Sequence, residues 1–185
     1  GGFGAIFLAV NSFGSSAAGG GWSSDAVYPR MLADVNGDGM ADIVGFGSGG
    51  NYVSLATGSG GFGAIALVSA SFGSATVAGG WAGQDRFPRM LADMNGDGRD
   101  DIVGFGRGGT YIAYSDAAPG QPVYFGAIRL AYAGFGENPD VGGWTSQHGA
   151  PRMVADINGD GLGDLVGFGS GGAHVAIGAA DWLLI

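Results

Sequence analysis

A nine-residue motif with oxygen-bearing side chains at fixed spacing occurs three times in this sequence. The first copy reads Asp34-Val-Asn-Gly-Asp-Gly-Met-Ala-Asp42, which places Asp or Asn at positions 1, 3, 5 and 9. These side chains, with the backbone carbonyl at position 7, can surround a hard cation at about 2.3–2.6 Å, and the glycine at position 6 permits a tight reversal. We therefore predict about one Ca²⁺ ion per repeat. The predicted ligands, with the carbonyl donor fourth in each set, are Asp34, Asn36, Asp38, Met40 and Asp42; Asp93, Asn95, Asp97, Arg99 and Asp101; and Asp156, Asn158, Asp160, Leu162 and Asp164.

The motif differs from the calcium loop of an EF-hand. An EF-hand has a bidentate Glu at position 12, whereas this position is Gly45, Gly104 or Gly167, and Ile-Val-Gly-Phe-Gly or its Leu variant follows instead of a helical pattern. The loops are therefore predicted to join strands. A simple tight turn is the alternative, since Asn, Asp and Gly all tolerate positive φ. A turn alone does not require Asp at both ends of all three copies, and this favours the cation.

Most of the acidic charge of the 185-residue chain has a local explanation. The formal charge is −9, and ten of the sixteen acidic residues lie in the three loops. Three bound Ca²⁺ ions would change the charge to −9 + 6 = −3. Nucleic-acid binding is not expected, because lysine is absent and the seven arginines are scattered along the sequence.

Composition also bears on the location of the protein. Cysteine is absent, so disulfides give no information about the compartment. Loops of this kind bind calcium where the ion is abundant, and this favours an extracellular or secreted location. The chain begins at Gly1 without a signal peptide. No apolar run approaches the roughly 18 residues of a membrane-spanning helix, so membrane insertion is not expected.

The loop is one part of a longer repeat of 59 and then 63 residues. Each repeat contains Phe-Gly-Ala-Ile, a Gly-Gly-Trp nineteen residues after that Phe, and a Pro-Arg pair before the loop. Runs with period-two alternation predict strands at Phe3–Val10, Ile43–Gly47 and Tyr52–Leu55, and at the equivalent places in each repeat. Four strands per repeat indicate an all-β fold, a β-propeller of four-stranded antiparallel blades with three blades in this chain. The repeats span roughly 1–58, 59–119 and 120–185.

The order of the strands leaves the two ends unmatched. The chain opens with the last strand of a repeat, Phe3–Val10, and the third blade lacks its own last strand. Because propellers typically have four to eight blades, we expect two chains to form a six-bladed homodimer in which segment 3–10 of each chain completes the last blade of its partner. A longer chain that supplies the missing blades is the alternative. The tail Asp181–Ile185 lies outside the repeat and is a candidate for a substitute edge strand.

Each repeat carries three motifs, which in the first copy read Phe-Gly-Ala-Ile, Gly-Gly-Trp and Pro-Arg-Met-Leu-Ala-Asp-Val-Asn-Gly-Asp-Gly-Met-Ala-Asp-Ile-Val-Gly-Phe-Gly. Together these motifs resemble the repeats of the fungal propeller lectins of the Psathyrella velutina lectin type, which are related to integrin-type FG-GAP repeats. The resemblance covers almost the whole chain. It implies a multivalent, calcium-containing lectin whose partners are glycans or glycoproteins. In that family N-acetylglucosamine or sialylated sugars bind in pockets between adjacent blades, and the rings have six or seven blades.

Three sets of equivalent residues are candidates for sugar contact. A sugar offers an apolar C–H face and a fringe of hydroxyl groups, so its site needs a flat aromatic side chain and a few fixed donors and acceptors. Each repeat supplies a tryptophan in a glycine-rich loop, an arginine, and an aromatic residue with a polar tip. The alternative is structural, with the tryptophans packing between blades and the arginines bonding to backbone carbonyls. The candidates are Trp22, Trp81 and Trp144; Arg30, Arg89 and Arg152; and Tyr52, Tyr111 and His174.

The sequence does not predict an enzyme. Its two histidines, His148 and His174, occupy non-equivalent positions, and no Ser or Asp is spaced with them as nucleophile and base. Paired carboxylates occur only in the loops assigned to calcium. An integrin-like protein-binding propeller and a purely structural, calcium-stiffened repeat remain as alternatives to the lectin.

Overall fold

The computed structural model describes residues 2–117 and 121–179, and in them all regular structure is strands and 3-10 helices. The first blade contains β1 (Arg30–Ala33), β2 (Asp42–Phe46), β3 (Asn51–Ser54) and β4 (Ala66–Ser69). The second contains β5 (Arg89–Ala92), β6 (Asp101–Phe105), β7 (Thr110–Ala113) and β8 (Arg129–Tyr132). The third contains β9 (Arg152–Ala155), β10 (Asp164–Gly169) and β11 (Gly172–Ala176). Short 3-10 helices cover Ala17–Gly19, Thr76–Ala78 and Pro139–Val141.

The predicted all-β fold of antiparallel blades is confirmed. In each sheet, strands that follow one another in sequence lie side by side, in the order β1-β2-β3-β4, β5-β6-β7-β8 and β9-β10-β11. The calcium-type loop joins the first and second strands, as the sequence predicts. In the first blade the pairing of these strands runs from Arg30 with Gly45 to Ala33 with Asp42.

The second strand is the most deeply buried strand of the first two blades. Val44, Phe46, Val103 and Phe105 are all fully buried. A strand covered on both faces favours a continuous run of apolar residues with glycine where another group comes close, and Ile-Val-Gly-Phe has this pattern. Contacts between blades join β1 to β5 and β5 to β9. The core therefore consists of apolar layers between consecutive blades.

The predicted bounds of the fourth strands need correction. Phe62–Ile65 and Phe125–Ile128 precede these strands, since β4 begins at Ala66 and β8 at Arg129. The two phenylalanines form isolated bridges instead, Phe62 with Ala56 and Phe125 with Ser115. The reason is the register. The fourth strand pairs only with the first residues of the third strand, and a register shift lies at the start of that pairing.

The Phe3–Val10 segment is not a strand in this chain, contrary to the prediction from its alternation. The four strands of the first blade pair with one another in order, and the segment is not part of that sheet. It touches the first blade through a backbone hydrogen bond of 3.5 Å from Phe62 N–H to the carbonyl of Ala9. The predicted edge strand at Asp181–Ile185 lies outside the described residues. In the described ranges no helix has the length and apolar character needed to cross a membrane.

Candidate functional site

Each candidate pocket is built on a tryptophan that follows a Gly-Gly pair. The Trp81 backbone N–H donates to the carbonyl of Gly73 at 2.9 Å, which closes the loop around a 3-10 turn. The rings of Trp81 and Phe72 pack with centroids 4.8 Å apart. Phe72 has φ 54°, a left-handed conformation that few non-glycine residues adopt. The pairs Phe13–Trp22 and Phe135–Trp144 repeat this arrangement, with centroids 5.1 and 5.3 Å apart.

A glycine of the second strand makes room for each indole ring. A Cβ atom on Gly104 would lie 2.6 Å from Cε1 of Phe72 and 2.7 Å from Cη2 of Trp81. Gly45 and Gly167 stand in the same relation to the other two rings. The glycine of the Val-Gly-Phe motif is therefore required for a steric reason, because a side chain at this position would clash with the tryptophan that packs flat across the sheet.

We expect Gly104→Ala to lower the free energy of unfolding by about 1–3 kcal/mol, the usual cost of extra volume in a packed core. Gly83→Ala is the matched control, because the nearest atom to a Cβ there is a carbonyl oxygen 4.0 Å away. Denaturant unfolding of both variants measures the difference. Equal stability of the two variants would contradict the packing described for Trp81.

The tryptophan and the third-strand aromatic residue come together in all three blades. The first pocket, about 440 Å³, is lined by Trp22 and Tyr52, and the second, about 280 Å³, by Trp81 and Tyr111. The third, about 670 Å³, is lined by Trp144 and His174. The two rings of each pair meet edge to face, with centroids 5.7, 6.0 and 5.7 Å apart. Each tryptophan is less than a tenth exposed, so it forms the floor of its pocket.

Other lining residues were not among the sequence candidates. Backbone of the Gly-Gly pair and of the turn between the second and third strands lines all three pockets. The fourth strand and the segment before it add Ile65 and Leu67 to the first pocket and Ile128 to the second. The repeated Phe-Gly-Ala-Ile is the sequence signal that could have indicated this wall.

The second pocket carries a charge that the others lack at the same position. Arg107 lines it where the first and third pockets have Ser48 and Ser170. The Arg107 guanidinium lies 3.4 Å from Glu137 and 5.5 Å from the centre of the Phe87 ring. The three pockets therefore share a floor and differ in polarity at the rim.

The arginine candidates lie elsewhere. Arg89 and Arg152 are fully buried, and burial lowers the pKa of each guanidinium to about 10. Arg89 donates to the carbonyls of Phe72 (3.2 Å) and Val27 (3.3 Å), and Arg152 donates equivalently in the next blade. These bonds tie each blade to the loop of the preceding one. The geometry thus favours the structural interpretation of both residues and does not bring them into the pockets.

The first of these arginines, Arg30, has a different environment. It donates to the carbonyls of Phe13 (2.9 Å) and Trp22 (3.3 Å), as its equivalents do within their own blades. No blade precedes it in the described chain, and its other terminal nitrogen lies 3.6 Å from the exposed carboxylate of Asp25.

The calcium-type loops bring together the side chains at positions 1, 3 and 5. In the first loop the Asp34 carboxylate accepts the N–H groups of Gly37 and Gly39 at 2.8 and 2.7 Å. The Asp38 N–H donates to both Asp34 and Asn36 side chains. The second and third loops repeat these bonds. The motif therefore folds as a compact loop whose side-chain oxygens point inward.

The position-nine carboxylates, which are predicted Ca²⁺ ligands, also bond to the backbone. Asp101 is fully buried and accepts the N–H groups of Met94 (3.0 Å) and Ser115 (2.8 Å), and Asp42 and Asp164 make the equivalent bonds. Burial raises the pKa of Asp101 to about 7, although these two hydrogen bonds act in the opposite direction. These residues anchor the loop to the start of the second strand and to the end of the third, a role that sequence reasoning missed.

In the first two loops burial raises the pKa of the position-nine carboxylate, which lies near those at positions 1 and 5, and their charges help to raise it. In residues 2–117 and 121–179 no three acidic or histidine side chains are grouped to hold a metal ion. The second loop also has a competing cation, because the Arg99 guanidinium lies 2.5 Å from Asp97. The donor chemistry of the loops suits Ca²⁺, and the second loop differs from the other two by its arginine.

Comparison with known proteins agrees with this architecture. The FG-GAP-like repeat family matches residues 34–103. A solved structure of an Agrocybe aegerita lectin, described by its recognition of non-reducing terminal N-acetylglucosamine, has 38% sequence identity and a TM-score of 0.83. The match covers 97% of this chain and 41% of the lectin chain, so this chain spans less than half of that protein. No curated protein matches this sequence. The resemblance seen in the sequence is confirmed: residues 34–103 match the FG-GAP-like repeat family, and the blades of this chain are similar to those of a fungal propeller lectin.

Proposed function

We propose that the chain is a carbohydrate-binding lectin module that takes N-acetylglucosamine-type sugars in the three tryptophan pockets. The observation that carries the proposal is the recurrence in each blade of one pocket with an indole floor, an aromatic wall with a polar tip and backbone groups at the rim. An indole face suits the C–H face of a sugar ring, and fixed polar groups suit its hydroxyl and acetamido groups. The sugar named for the Agrocybe aegerita lectin supports the same class of ligand.

The three pockets also support multivalent binding. Sites joined on one rigid body gain effective concentration, which can raise avidity by about 10²–10⁴ without new contacts. We infer weak binding of the free sugar and much tighter binding to surfaces that display many copies. Arg107 gives the second pocket a cation, and we assign sialylated sugars, which are anionic, to that pocket in preference to the other two.

We also infer that each loop holds Ca²⁺ through the side chains at positions 1, 3, 5 and 9 and the carbonyl at position 7. For the first loop these are Asp34, Asn36, Asp38, Asp42 and Met40. The ion would draw together the carboxylates of a loop that precedes the buried second strand, and so would stiffen the blade below the pocket. A calcium-rich extracellular location would suit such sites. The ring would be closed by a second chain, as a homodimer, or by further blades of a longer chain.

Removing the aromatic walls tests the sugar proposal. We expect the triple variant Tyr52→Ala, Tyr111→Ala and His174→Ala to lose at least about tenfold in affinity for free N-acetylglucosamine, because each pocket loses one wall. Isothermal titration calorimetry measures this, with glucose as the sugar that lacks the acetamido group. Tyr124→Ala is the control, since Tyr124 is an exposed tyrosine outside the three pockets.

The same experiment separates the alternatives. Undiminished binding by a folded triple variant would move the sugar site away from these pockets. An integrin-like protein-binding propeller or a purely structural repeat would give no glycan-array pattern that free N-acetylglucosamine abolishes.

A further inference from the structure

We propose that the calcium site of the first loop is shared between two blades, with Asp100 of the second blade as its positioning residue. The Asp100 carboxylate adds a negative charge beside the first loop and holds the backbone of Asp34, the first predicted ligand. The inference rests on the proposed calcium binding and extends it, because a residue outside the first loop would then set the affinity of that loop.

Asp100 makes a reciprocal pair of hydrogen bonds with the backbone of Asp34. The Asp34 N–H donates to the Asp100 carboxylate at 3.1 Å, and the Asp100 N–H donates to the Asp34 carbonyl at 2.7 Å. The side chain of Asp34 in turn accepts the N–H groups of Gly37 and Gly39 within the loop. The backbone that carries the first ligand is therefore fixed by a residue 66 positions later in the chain.

Two further contacts join the second blade to the first loop. The Ser115 hydroxyl donates to the carbonyl of Val35 at 2.5 Å, and this bond is buried. The stem of Arg99 packs against the turn of the loop, since a Cβ atom on Gly37 would lie 3.2 Å from Cγ of Arg99. With the bonds of Asp100, the second blade thus contacts positions 1, 2 and 4 of the first loop.

The charge of Asp100 has no partner cation in the part of the chain that the structure describes. The ion pairs there do not include Asp100, and the Arg99 guanidinium bonds to Asp97 instead. Burial raises the pKa of Asp100, and the nearby charges of Asp34 and Asp93 raise it further, although the bond from the Asp34 N–H acts in the opposite direction.

A fixed negative charge among carboxylates favours the state in which a cation is bound. Without the ion the like charges repel one another, and with the ion each charge is attracted to it. Asp100 therefore strengthens calcium binding in the first loop. Because coupling between two equilibria is reciprocal, calcium in this loop would also tighten the junction of the first two blades.

The equivalent junction between the second and third blades lacks the carboxylate. Gly163 stands at the position of Asp100, and its N–H donates to the carbonyl of Asp93 at 2.8 Å, so the backbone bond is kept. A Cβ atom on Gly163 would lie 2.5 Å from Sδ of Met94, which leaves no room for a side chain. The first loop has the shorter Val35 at the position of Met94. The link through a carboxylate is therefore specific to the first junction.

Asp100→Asn tests the charge, because asparagine keeps a side-chain oxygen as the acceptor for the Asp34 N–H. Amide NMR during calcium titration reports on each loop separately, since Gly39, Gly98 and Gly161 each donate to the position-1 carboxylate of their own loop. We expect Asp100→Asn to raise the calcium concentration at the midpoint of the Gly39 response about two- to fivefold, the effect of one partly exposed charge. The midpoint of Gly161 should not change.

A second variant and a control complete the series. Asp100→Ala introduces the residue found at the same position of the first loop, Ala41, and removes the acceptor as well as the charge. We expect it to raise the Gly39 midpoint more than Asp100→Asn does. Asp140→Asn is the matched control, because it removes the same charge from an exposed acid outside the loops.

Salt separates the charge of Asp100 from a purely structural role. Interactions between charges near the surface weaken as the ionic strength rises. We therefore expect the difference between the unaltered chain and Asp100→Asn to shrink when potassium chloride is raised from about 0.02 M to about 0.5 M.

Three results would overturn the inference about Asp100. The first is a Gly39 midpoint that is the same in Asp100→Asn and in the unaltered chain. The second is an equal change at Gly161 or in Asp140→Asn, and the third is a difference that salt does not alter. If the loops bind no calcium, none of the three glycine signals of the unaltered chain responds, and both proposals fail. Failure of the Asp100 inference alone leaves all three responses in place.

Discussion

Removal of calcium is expected to lower the stability of the protein more than any single substitution. A cation bound only by the folded chain adds about 2.7 kcal/mol per site at a hundredfold excess over its dissociation constant, or about 8 kcal/mol for three such sites. Without the ion, the two carboxylates at positions 1 and 5 of each loop repel one another. Thermal unfolding with and without EDTA measures the effect, and elemental analysis counts the ions.

The loops should contribute unequally to this effect. Arg99 already neutralises Asp97 in the second loop, so we expect that loop to bind Ca²⁺ most weakly. Asp38→Asn should remove a larger share of the calcium-dependent stability than Asp97→Asn. Asp140→Asn is the control, since Asp140 is an exposed acid outside the loops. A metal-free protein whose melting temperature does not respond to EDTA or to added Ca²⁺ would show that the loops are turns alone.

Arg89→Met is expected to cost about 2–6 kcal/mol of unfolding free energy, because two carbonyl acceptors lose their donor. The substitution keeps an unbranched apolar stem but leaves the carbonyls of Phe72 and Val27 without their donor, and an orphaned buried acceptor itself costs about 1–3 kcal/mol. It also removes the contact over Phe46. Denaturant unfolding gives the difference.

Arg129→Met is the appropriate control for Arg89→Met. Arg129 is exposed and lies over the ring of Tyr114 at 4.0 Å, so it has a comparable aromatic contact but no burial. We expect its loss to cost well under half as much. Similar costs for the two variants would mean that the bonds from Arg89 to the preceding loop contribute little to holding the blades together.

The blade architecture was predictable because the signals behind it are local and repeated. The strand buried on both faces is marked in the sequence by Ile-Val-Gly-Phe twice and by Leu-Val-Gly-Phe once. The loop before it is marked by Asp-x-Asn-Gly-Asp-Gly three times, at nearly constant spacing. The fourth strands were misplaced because their bounds depend on register. Alternation begins at Phe62, but pairing with β3 begins at Ala66, and no feature of the sequence marks that shift.

The site could be predicted only in part, for the same physical reason. The sequence identifies a tryptophan and a third-strand aromatic residue in each repeat, and the structure brings both into one pocket. The sequence does not distinguish an arginine that faces a ligand from one that bonds to carbonyls of the preceding blade, because either kind would recur at the same position of every repeat. Likewise the spacing of Asp42 predicts a ligand but does not predict the hydrogen bonds that its carboxylate accepts from the N–H groups of Val35 and Ala56, which come from different parts of the blade.

The sheet order of each blade has a consequence for how the chain folds. Consecutive strands are neighbours, so most backbone pairing joins residues close together in sequence, and chains with such low contact order fold quickly. Stability in linear repeats is approximately a sum of each unit and its interfaces with the next, so nucleation in one blade can propagate along the array. For the single chain before any ring closes, we expect the second blade to be the most protected in hydrogen exchange, because within the described residues only this blade has a neighbour on both sides.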